Sequence, residues 1–319
     1  MGETTAGQHV LVTGGCGYIG SALVPLLQRR GDVAGVTVFD SLAGGSPSTL
    51  VDVNFDDSVS FRQGDIRHYG EVEDATRGAD AVIHLAAITG AASTHDRREE
   101  TFAVNLDGTR NVVDAAEKVG VETVTFASSC NNYGRAPHEN VDETTEPQPI
   151  NPYAESKLES EELLADFSGE STALRLSTNY GYAPGIRFNL VVNTFVFRAL
   201  TGRPLTVYGD GTNWRPFIHV RDAARAFAAA TLSPAEWSQS VYNVGANEEN
   251  YRISEIAEIV RDVTGEAVDV TYLEDEHPGP SYYVNFDRLA ETGFELEWTL
   301  EDGVEQLAGV FTDSEQAEL

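Results

Sequence analysis

Lysine is almost absent from this sequence. Its 319 residues include 21 basic residues, of which only Lys118 and Lys157 are lysines, against 51 acidic residues. The resulting net charge of −30 is spread along the whole chain, and a surface of this sign repels nucleic acids and anionic lipids. We therefore expect the protein to bind neither a nucleic acid nor a membrane.

This composition has two interpretations. The first is an ordinary acidic enzyme. The second is a halophilic protein that works in multimolar salt, where screening over about 3 Å removes the self-repulsion of the carboxylates. Acidic excess combined with lysine depletion favours the second interpretation. Under that pressure a retained lysine is expected to have a chemical task, which draws attention to Lys157.

Cysteines and long apolar segments are also scarce. Only Cys16 and Cys130 are present, so the chain has no disulfide framework. No apolar run approaches the roughly 18 residues that a membrane helix needs. The N-terminal MGETTAGQH is too polar for a signal peptide. These absences predict a cytoplasmic protein.

The first 180 residues alternate apolar strands with helical segments. Strand-like HVLVTGGC, VAGVTVFD and ADAVIHLAA alternate with helix-like YIGSALVPLLQRRG and ETFAVNLDGTRNVVDAAEKVG. This alternation predicts an α/β fold with a Rossmann-type doubly wound parallel sheet over residues 1–180. Prolines interrupt shorter elements after Gly181, which predicts a smaller C-terminal α/β substrate lobe over 181–319. Residues 214–245 are expected to return to the main body.

A glycine-rich turn follows the first predicted strand. Gly14, Gly17 and Gly20 have the spacing G-x-x-G-x-x-G in TGGCGYIG, between a strand and a helix. Such glycines permit a tight turn, close approach to a pyrophosphate and close packing of helix on strand. The N–H groups of Tyr18 and Ile19 would face the phosphates. The strand–loop–helix context favours dinucleotide binding over a plain structural turn.

The second predicted strand ends in Asp40. This residue lies 20 positions after Gly20. A carboxylate there accepts hydrogen bonds from the adenosine ribose and repels a 2′-phosphate. The sequence therefore predicts NAD rather than NADP, with a purely structural Asp40 as the alternative.

Tyr153 and Lys157 form the pair Y-x-x-x-K in YAESK. They lie four residues apart on a predicted helix that Asn151 caps, so they share one face. A tyrosine with a pKa of about 10 is a poor base at neutral pH. We expect the ammonium group and a positive nicotinamide ring to lower the pKa of Tyr153. The default alternative is a surface pair, which the glycine loop and the scarcity of lysine disfavour.

The whole set of motifs resembles the extended short-chain dehydrogenase/reductases, in particular the nucleotide-sugar epimerases and dehydratases such as UDP-glucose 4-epimerase. The resemblance covers nearly the whole chain and rests on TGGCGYIG, GDI, HLAA, NLDGT, SSCNNYG, YAESK and WRPFIHVRD. It implies that Ser129 is the third catalytic residue and hydrogen-bonds the reacting sugar oxygen. It further implies residues along the cofactor: Asp65 and Ile66 beside the adenine, Leu85, Ala86 and Ala87 along the cleft, and Asn105 in support.

The residues after Ser129 bear on the reaction. Dehydratases of this group usually carry an Asp-Glu pair where this chain has Cys130 and Asn131. Neither residue can supply the carboxyl acid that elimination of water needs, which disfavours a 4,6-dehydratase. Double epimerases use a cysteine base one position later, so Cys130 is interpreted as a small buried thiol.

The resemblance also implies a substrate site. Asn189 and Leu190 in GIRFNLVVNTF would meet the substrate diphosphate, and Arg215 in WRPFIHVRD would bind a phosphate. Tyr208 in TVYGDG would pack on the nucleobase. The second phosphate arginine of the family is missing before YVNFD, although His277 lies near that place.

The leading hypothesis is an NAD-dependent nucleotide-sugar 4-epimerase that works through a transient 4-keto sugar. The main alternative is a sugar dehydrogenase that releases NADH, and a non-catalytic cofactor sensor is the third. By resemblance, helices at 100–118 and 152–167 are expected to pair two copies into a homodimer.

Overall fold

A computed structural model of the protein describes residues 7–136, 140–274 and 279–312. The candidate phosphate ligand His277 lies outside the described residues. Among the described residues, no helix combines the length and the apolar character that crossing a bilayer requires.

A seven-stranded parallel sheet forms the centre of the molecule. In chain order its strands are β1 (Gln8–Thr13), β2 (Val33–Asp40), β3 (Val59–Gln63), β4 (Ala81–His84), β5 (Thr123–Ser129), β7 (Glu170–Leu176) and β11 (Val241–Val244). Their spatial order is β11-β7-β5-β4-β1-β2-β3, so the direction of winding reverses between β1 and β4. A reversal of this kind opens a crevice at the carboxyl ends of the strands. The predicted Rossmann-type fold is confirmed.

Helices cover both faces of this sheet. The side chains of β1 are apolar on both faces, so each face has to be shielded from water. Val10 and Val12 pack toward one face with α1 (Tyr18–Gln28) and α8 (Val220–Leu232). Leu11 packs toward the other face, which is covered by α2 (Tyr69–Thr76), α5 (Gly108–Val119) and α6 (Pro152–Leu164). Full burial on both sides explains why the strands read as continuous apolar runs.

The single long helix predicted from residue 100 is not continuous. It consists of α4 (Arg98–Phe102), a π-helical turn (Ala103–Asp107) and α5, and the short α3 (Ala91–Thr94) precedes it. The π-turn inserts an extra residue and turns the side chain of Asn105 into the body of the protein. Amphipathic periodicity does not reveal such an insertion.

A second core, which includes Phe195, Phe217 and Ile256, lies outside the central sheet. The remaining strands are β6 (Asn140–Val141), β8 (Thr178–Tyr180), β9 (Leu205–Tyr208), β10 (Trp214–His219), β12 (Asn250–Arg252), β13 (Val270–Leu273) and β14 (Tyr283–Val284). The remaining helices are α7 (Val191–Leu200), α9 (Ile253–Thr264), α10 (Asp287–Ala290) and α11 (Leu300–Thr312). Strands β6 and β14 pair around a separate small core, and Leu289 of α10 packs into the core of the main body.

The segment 214–245 divides between the two parts. Helix α8 packs in the core of the central sheet, and strand β11 is the edge strand of that sheet. Residues 214–219 instead form β10 of a three-stranded sheet, because Trp214 and Pro216 pair antiparallel with Arg252 and Asn250. The domain division at residue 180 stays a prediction.

Candidate active site

The candidate residues gather at the carboxyl edge of the central sheet. Gly14 follows β1, Leu85 follows β4, and Ser129 ends β5. Helix α6 runs beside β5 and carries Tyr153 and Lys157. Adjacent parallel strands thus bring the predicted cofactor loop and the predicted catalytic residues to one crevice.

The glycine loop forms a cradle that side chains would fill. Gly14 has a φ of +72°, and a Cβ atom there would lie 2.6 Å from the backbone nitrogen of Ala86. A Cβ atom on Gly20 would lie 2.5 Å from the carbonyl oxygen of Gly15. Helix α1 begins after Gly17 without a side-chain cap and without an acidic residue in its first turn. Free N–H groups at a helix start fit a pyrophosphate, so these residues fit a dinucleotide.

Asp40 braces this loop. Its carboxylate accepts a hydrogen bond from the Cys16 N–H at 2.9 Å and another from the Leu42 N–H at 2.8 Å. Leu42 has a left-handed φ of 60°, which this contact helps to hold. Carboxylate oxygens have further lone pairs for a ribose, and that role stays a prediction.

The predicted adenine and cleft residues lie along the same crevice. Asp65 is held in a 2.6 Å ion pair with Arg67, which keeps the pKa of Asp65 below its ordinary value. Ile66 is buried and packs against Gly108. A Cβ atom on Gly108 would lie only 2.5 Å from the Cδ1 atom of Ile66. The segment Leu85–Ala87 is partly exposed. It starts with a hydrogen bond from the Leu85 N–H to Thr13 at 3.0 Å.

Asn105 supports the crevice from behind. Its Oδ1 accepts from the Ile88 N–H at 2.8 Å, and its Nδ2 donates to the Ile88 carbonyl and to Ser156 Oγ, both at 3.0 Å. The amide therefore ties the loop after β4 to helix α6. Because the oxygen and the nitrogen of this amide are both bonded to the protein, the geometry favours a supporting role for Asn105 over direct contact with the cofactor.

Ser129, Tyr153 and Lys157 come together at the bottom of the crevice. The Ser129 hydroxyl lies close enough to Tyr153 to act against the rise of its pKa, and it accepts from the Asn131 side-chain amide at 3.1 Å. Lys157 is only 2% exposed. Its Nζ lies 4.5 Å from the centre of the Phe126 ring and 6.0 Å from the centre of the Tyr153 ring. The predicted trio is thus one cluster in space.

Burial dominates the electrostatics of this cluster. Burial raises the pKa of Tyr153, despite the hydrogen bond from Ser129 and the positive charge of Arg187. Burial also lowers the pKa of Lys157 to about 7, which Glu161 partly opposes. Among the protein groups the loss of solvation outweighs the nearby charges. The expectation that the ammonium and the nicotinamide ring together lower the pKa of Tyr153 stays a prediction.

A buried histidine beside the cluster is neutral. His84 lies between two hydroxyls, with Nδ1 2.6 Å from Thr13 and Nε2 2.9 Å from Thr109. Burial and the charge of Lys157 lower the pKa of His84 to about 3. A neutral imidazole adds no second positive charge next to the lysine.

The substrate candidates are only partly connected to this cluster. The Arg215 guanidinium lies 5.0 Å from the ring centre of Tyr282, whose hydroxyl donates to Asn131 Oδ1 at 3.4 Å. Arg215 is therefore linked to the loop at residues 129–134, the catalytic loop, which is named for the candidate residue Ser129. Tyr208 ends β9 and is 64% exposed, and its side chain makes no polar or ring contact with other described residues. Its role stays a prediction.

Asn189 and Leu190 directly precede helix α7. Asn189 Oδ1 accepts from Arg187 Nε at 3.3 Å. Leu190 packs with a small cluster that includes Tyr18 and Val220. This places the predicted diphosphate residues next to the first helix of the cofactor domain.

A buried ionic network lies behind the catalytic loop. The Glu161 carboxylate accepts from Arg175 Nη2 at 2.7 Å and Nε at 3.0 Å, and from Asn132 Nδ2 at 3.0 Å. Cys130 Sγ donates to the Arg175 carbonyl at 3.1 Å, and burial raises the pKa of its thiol. These contacts support the interpretation of Cys130 as an inert buried thiol.

Sequence reasoning missed four residues of the site: Arg187, Tyr282, Glu161 and Arg175. Arg187 stands within the segment GIRFNLVVNTF, where its positive charge in so acidic a chain was an available signal. Tyr282 and the buried pair carry no local signal, because their roles depend on contacts between distant segments.

The chain matches the NAD dependent epimerase/dehydratase family over residues 10–245. A low-salt glycan biosynthesis protein of Haloferax volcanii is 28% identical over 299 residues, covering 93% of this chain and 96% of that protein. A dTDP-glucose 4,6-dehydratase of an Actinoplanes species is 31% identical, covering 92% and 95%. The structure of Thermus thermophilus UDP-glucose 4-epimerase with NAD has a TM-score of 0.82 at 30% identity, covering 96% and 99%. The protein thus belongs to the NAD-dependent epimerase/dehydratase family, with NAD as its cofactor.

Proposed function

We propose that the protein is a nucleotide-sugar 4-epimerase. The observation that carries this proposal is the cluster of Ser129, Tyr153 and Lys157 beside a loop whose acid position is occupied by Asn131. NAD, when bound, supplies the acceptor and donor of the hydride. A hydride carrier and these three side chains are sufficient to oxidise one carbon of a sugar to a ketone and to reduce it again.

The side chains divide the work by their chemistry. Tyr153 takes the proton from the 4-hydroxyl as a 4-keto sugar forms, and returns it after the sugar has turned. Ser129 hydrogen-bonds the same oxygen and fixes its position. Lys157, when charged, stabilises the tyrosinate in a buried site where each charge acts strongly. Because burial raises the pKa of Tyr153, this positive charge matters more than it would in an exposed site.

Asn131 argues against elimination of water. Its Nδ2 donates to Ser129 Oγ at 3.1 Å, and its Oδ1 accepts from Tyr282 at 3.4 Å. An amide held at both ends neither gives nor takes a proton at neutral pH. The 31% identical dehydratase makes dehydration the competing reaction that the experiment must distinguish.

The test is turnover of a panel of UDP-, dTDP- and GDP-hexoses with NAD in concentrated KCl and D2O, followed by proton NMR. A 4-epimerase interconverts two sugars without taking up deuterium, because the hydrogen returns from the cofactor. A dehydratase gives a 4-keto-6-deoxy sugar that contains deuterium, and a dehydrogenase accumulates NADH. Either of these two products would refute the proposal, and Tyr153→Phe serves as the inactive control.

We further propose that the protein is halophilic, acts in the cytoplasm and forms a homodimer. The charge of −30 with two lysines and the Haloferax relative support the first point. Light scattering in multimolar and in dilute KCl tests the dimer, which we expect to pair through α4, α5 and α6. A monomer at all salt concentrations would contradict it.

A further inference from the structure

Arg187 is a partly buried cation that has no step of its own in the proposed reaction, although its charge acts on Tyr153. It lies in the loop between β8 and α7, where Nη1 donates to Thr89 Oγ1 at 2.5 Å and Nε to Asn189 Oδ1 at 3.3 Å. Within the described ranges no carboxylate pairs with it, in a chain that has 51 acidic residues. Burial of an unpaired guanidinium is unfavourable, so this geometry indicates a site for an anion.

The backbone of this loop rests on the glycine cradle. The Gly185 N–H donates to Ser21 Oγ at 2.9 Å, and a Cβ atom on Gly185 would lie 2.8 Å from the Gly17 carbonyl oxygen. The buried Asn193 donates to the Arg187 carbonyl at 3.1 Å and to the Tyr18 hydroxyl at 3.2 Å. These bonds fix the loop on the first turn of helix α1.

The side chain of Arg187 reaches the opposite wall of the cleft. Thr89 belongs to the loop after β4, two residues beyond Leu85–Ala87. That loop and the glycine loop follow the adjacent strands β4 and β1. Arg187 therefore crosses from one wall to the other at the mouth of the cofactor crevice.

The cradle itself contains no basic residue in TGGCGYIG, so its N–H groups alone face the two charges of a pyrophosphate. We propose that Arg187 binds the pyrophosphate of the dinucleotide and closes the cleft over it with Thr89. An arginine fork suits paired phosphate oxygens. An epimerase needs to retain its cofactor, because the same dinucleotide must return the hydride. This reason for tight binding rests on the proposed function.

The test measures dissociation of the cofactor without any sugar. Protein loaded with NADH is mixed with excess NAD, and the decay of bound-NADH fluorescence gives the dissociation rate. We expect Arg187→Gln to speed dissociation by about 10-fold to 100-fold, as loss of a charge-assisted hydrogen bond predicts. Arg187→Lys should fall between this variant and the wild type, because it keeps the charge but loses the fork. The matched control Arg203→Gln, which removes an exposed charge from the same lobe, should change the rate less than about twofold.

The substrate diphosphate is the other possible source of the same chemistry. An unchanged dissociation rate in both Arg187 variants would overturn the proposal, and a raised KM for the nucleotide sugar would then assign Arg187 to the substrate. Thermal unfolding checks that the variants are folded. If Arg187→Gln is not folded, the dissociation rate of Arg187→Lys decides the outcome. Since no sugar is present, the result stands even if the reaction is not 4-epimerisation.

Discussion

Replacing Lys157 by methionine should abolish turnover and yet stabilise the protein. The ammonium is buried to 2% exposure, and burial lowers its pKa from 10.5 to about 7. Methionine is similar in length and apolar, so it fits the same space beside Phe126. The substitution removes a charge whose burial is unfavourable and whose proposed function is catalytic.

The magnitude follows from the change in the pKa of Lys157. A fall from 10.5 to about 7 corresponds to about 5 kcal/mol against the charged form. Loss of the contact between the ammonium and the Phe126 ring takes back about 1–2 kcal/mol. We therefore expect Lys157→Met to raise the free energy of unfolding by about 3 kcal/mol at pH 7.

The sign of the pH dependence is fixed by linkage. Because the pKa of Lys157 is lower in the folded than in the unfolded protein, the unfolded chain binds this proton more tightly between pH 7 and 10.5. Burial of Lys157 therefore destabilises the wild type fully below pH 7, and this effect fades as the pH rises to 10.5. The advantage of Lys157→Met should shrink over the same window.

Urea unfolding at constant KCl, followed by circular dichroism from pH 6 to pH 10, measures this effect. Lys118→Met is the matched control, because Lys118 is 58% exposed and pairs with Glu73 at 2.7 Å. We expect a loss of at most about 1 kcal/mol for the control. A Lys157→Met protein less stable than the wild type at pH 7, or a gain that does not shrink with rising pH, would refute the reasoning.

Three further outcomes are expected. Tyr153→Phe should lower turnover by about 10²-fold to 10⁴-fold. The NAD retained by that variant, measured by absorbance after heat release, should not change, and loss of NAD would contradict a purely chemical role. Glu161→Gln leaves Arg175 buried without its carboxylate and should lower the free energy of unfolding by about 3–5 kcal/mol in urea titrations; a loss below about 1 kcal/mol would speak against the buried pair. Cys16 and Cys130 are both buried, so a disulfide reagent should label neither in the native protein and both after unfolding, and rapid native labelling would contradict this.

The features predicted well from the sequence are those that one short segment determines. Gly14 and Gly20 mark a turn that needs a missing Cβ, and the structure shows atoms where each Cβ would lie. Asn151 was recognised as a cap, and its Oδ1 accepts from the Ala154 N–H at 2.9 Å. The parallel sheet follows from strands that are apolar on both faces.

Other features depend on contacts between distant segments. The spacing of Tyr153 and Lys157 places them on one face but does not reveal how far burial shifts each pKa, which the surrounding elements decide. Arg187 meets Thr89 across 98 positions of the sequence. The π-turn around Asn105 is likewise invisible to periodicity, and the partner that Asn105 meets there, Ile88, lies 17 positions away in the sequence.

The burial of the Glu161–Arg175 pair determines how salt should act on this protein. Both side chains are 6% exposed, so dissolved ions have little access to the space between them. A change in ionic strength should act on the repulsion between the many surface carboxylates. It should therefore change the fraction of molecules that are folded. The geometry that holds the catalytic loop should stay constant, so the turnover of each folded molecule should vary much less with salt than the folded fraction does.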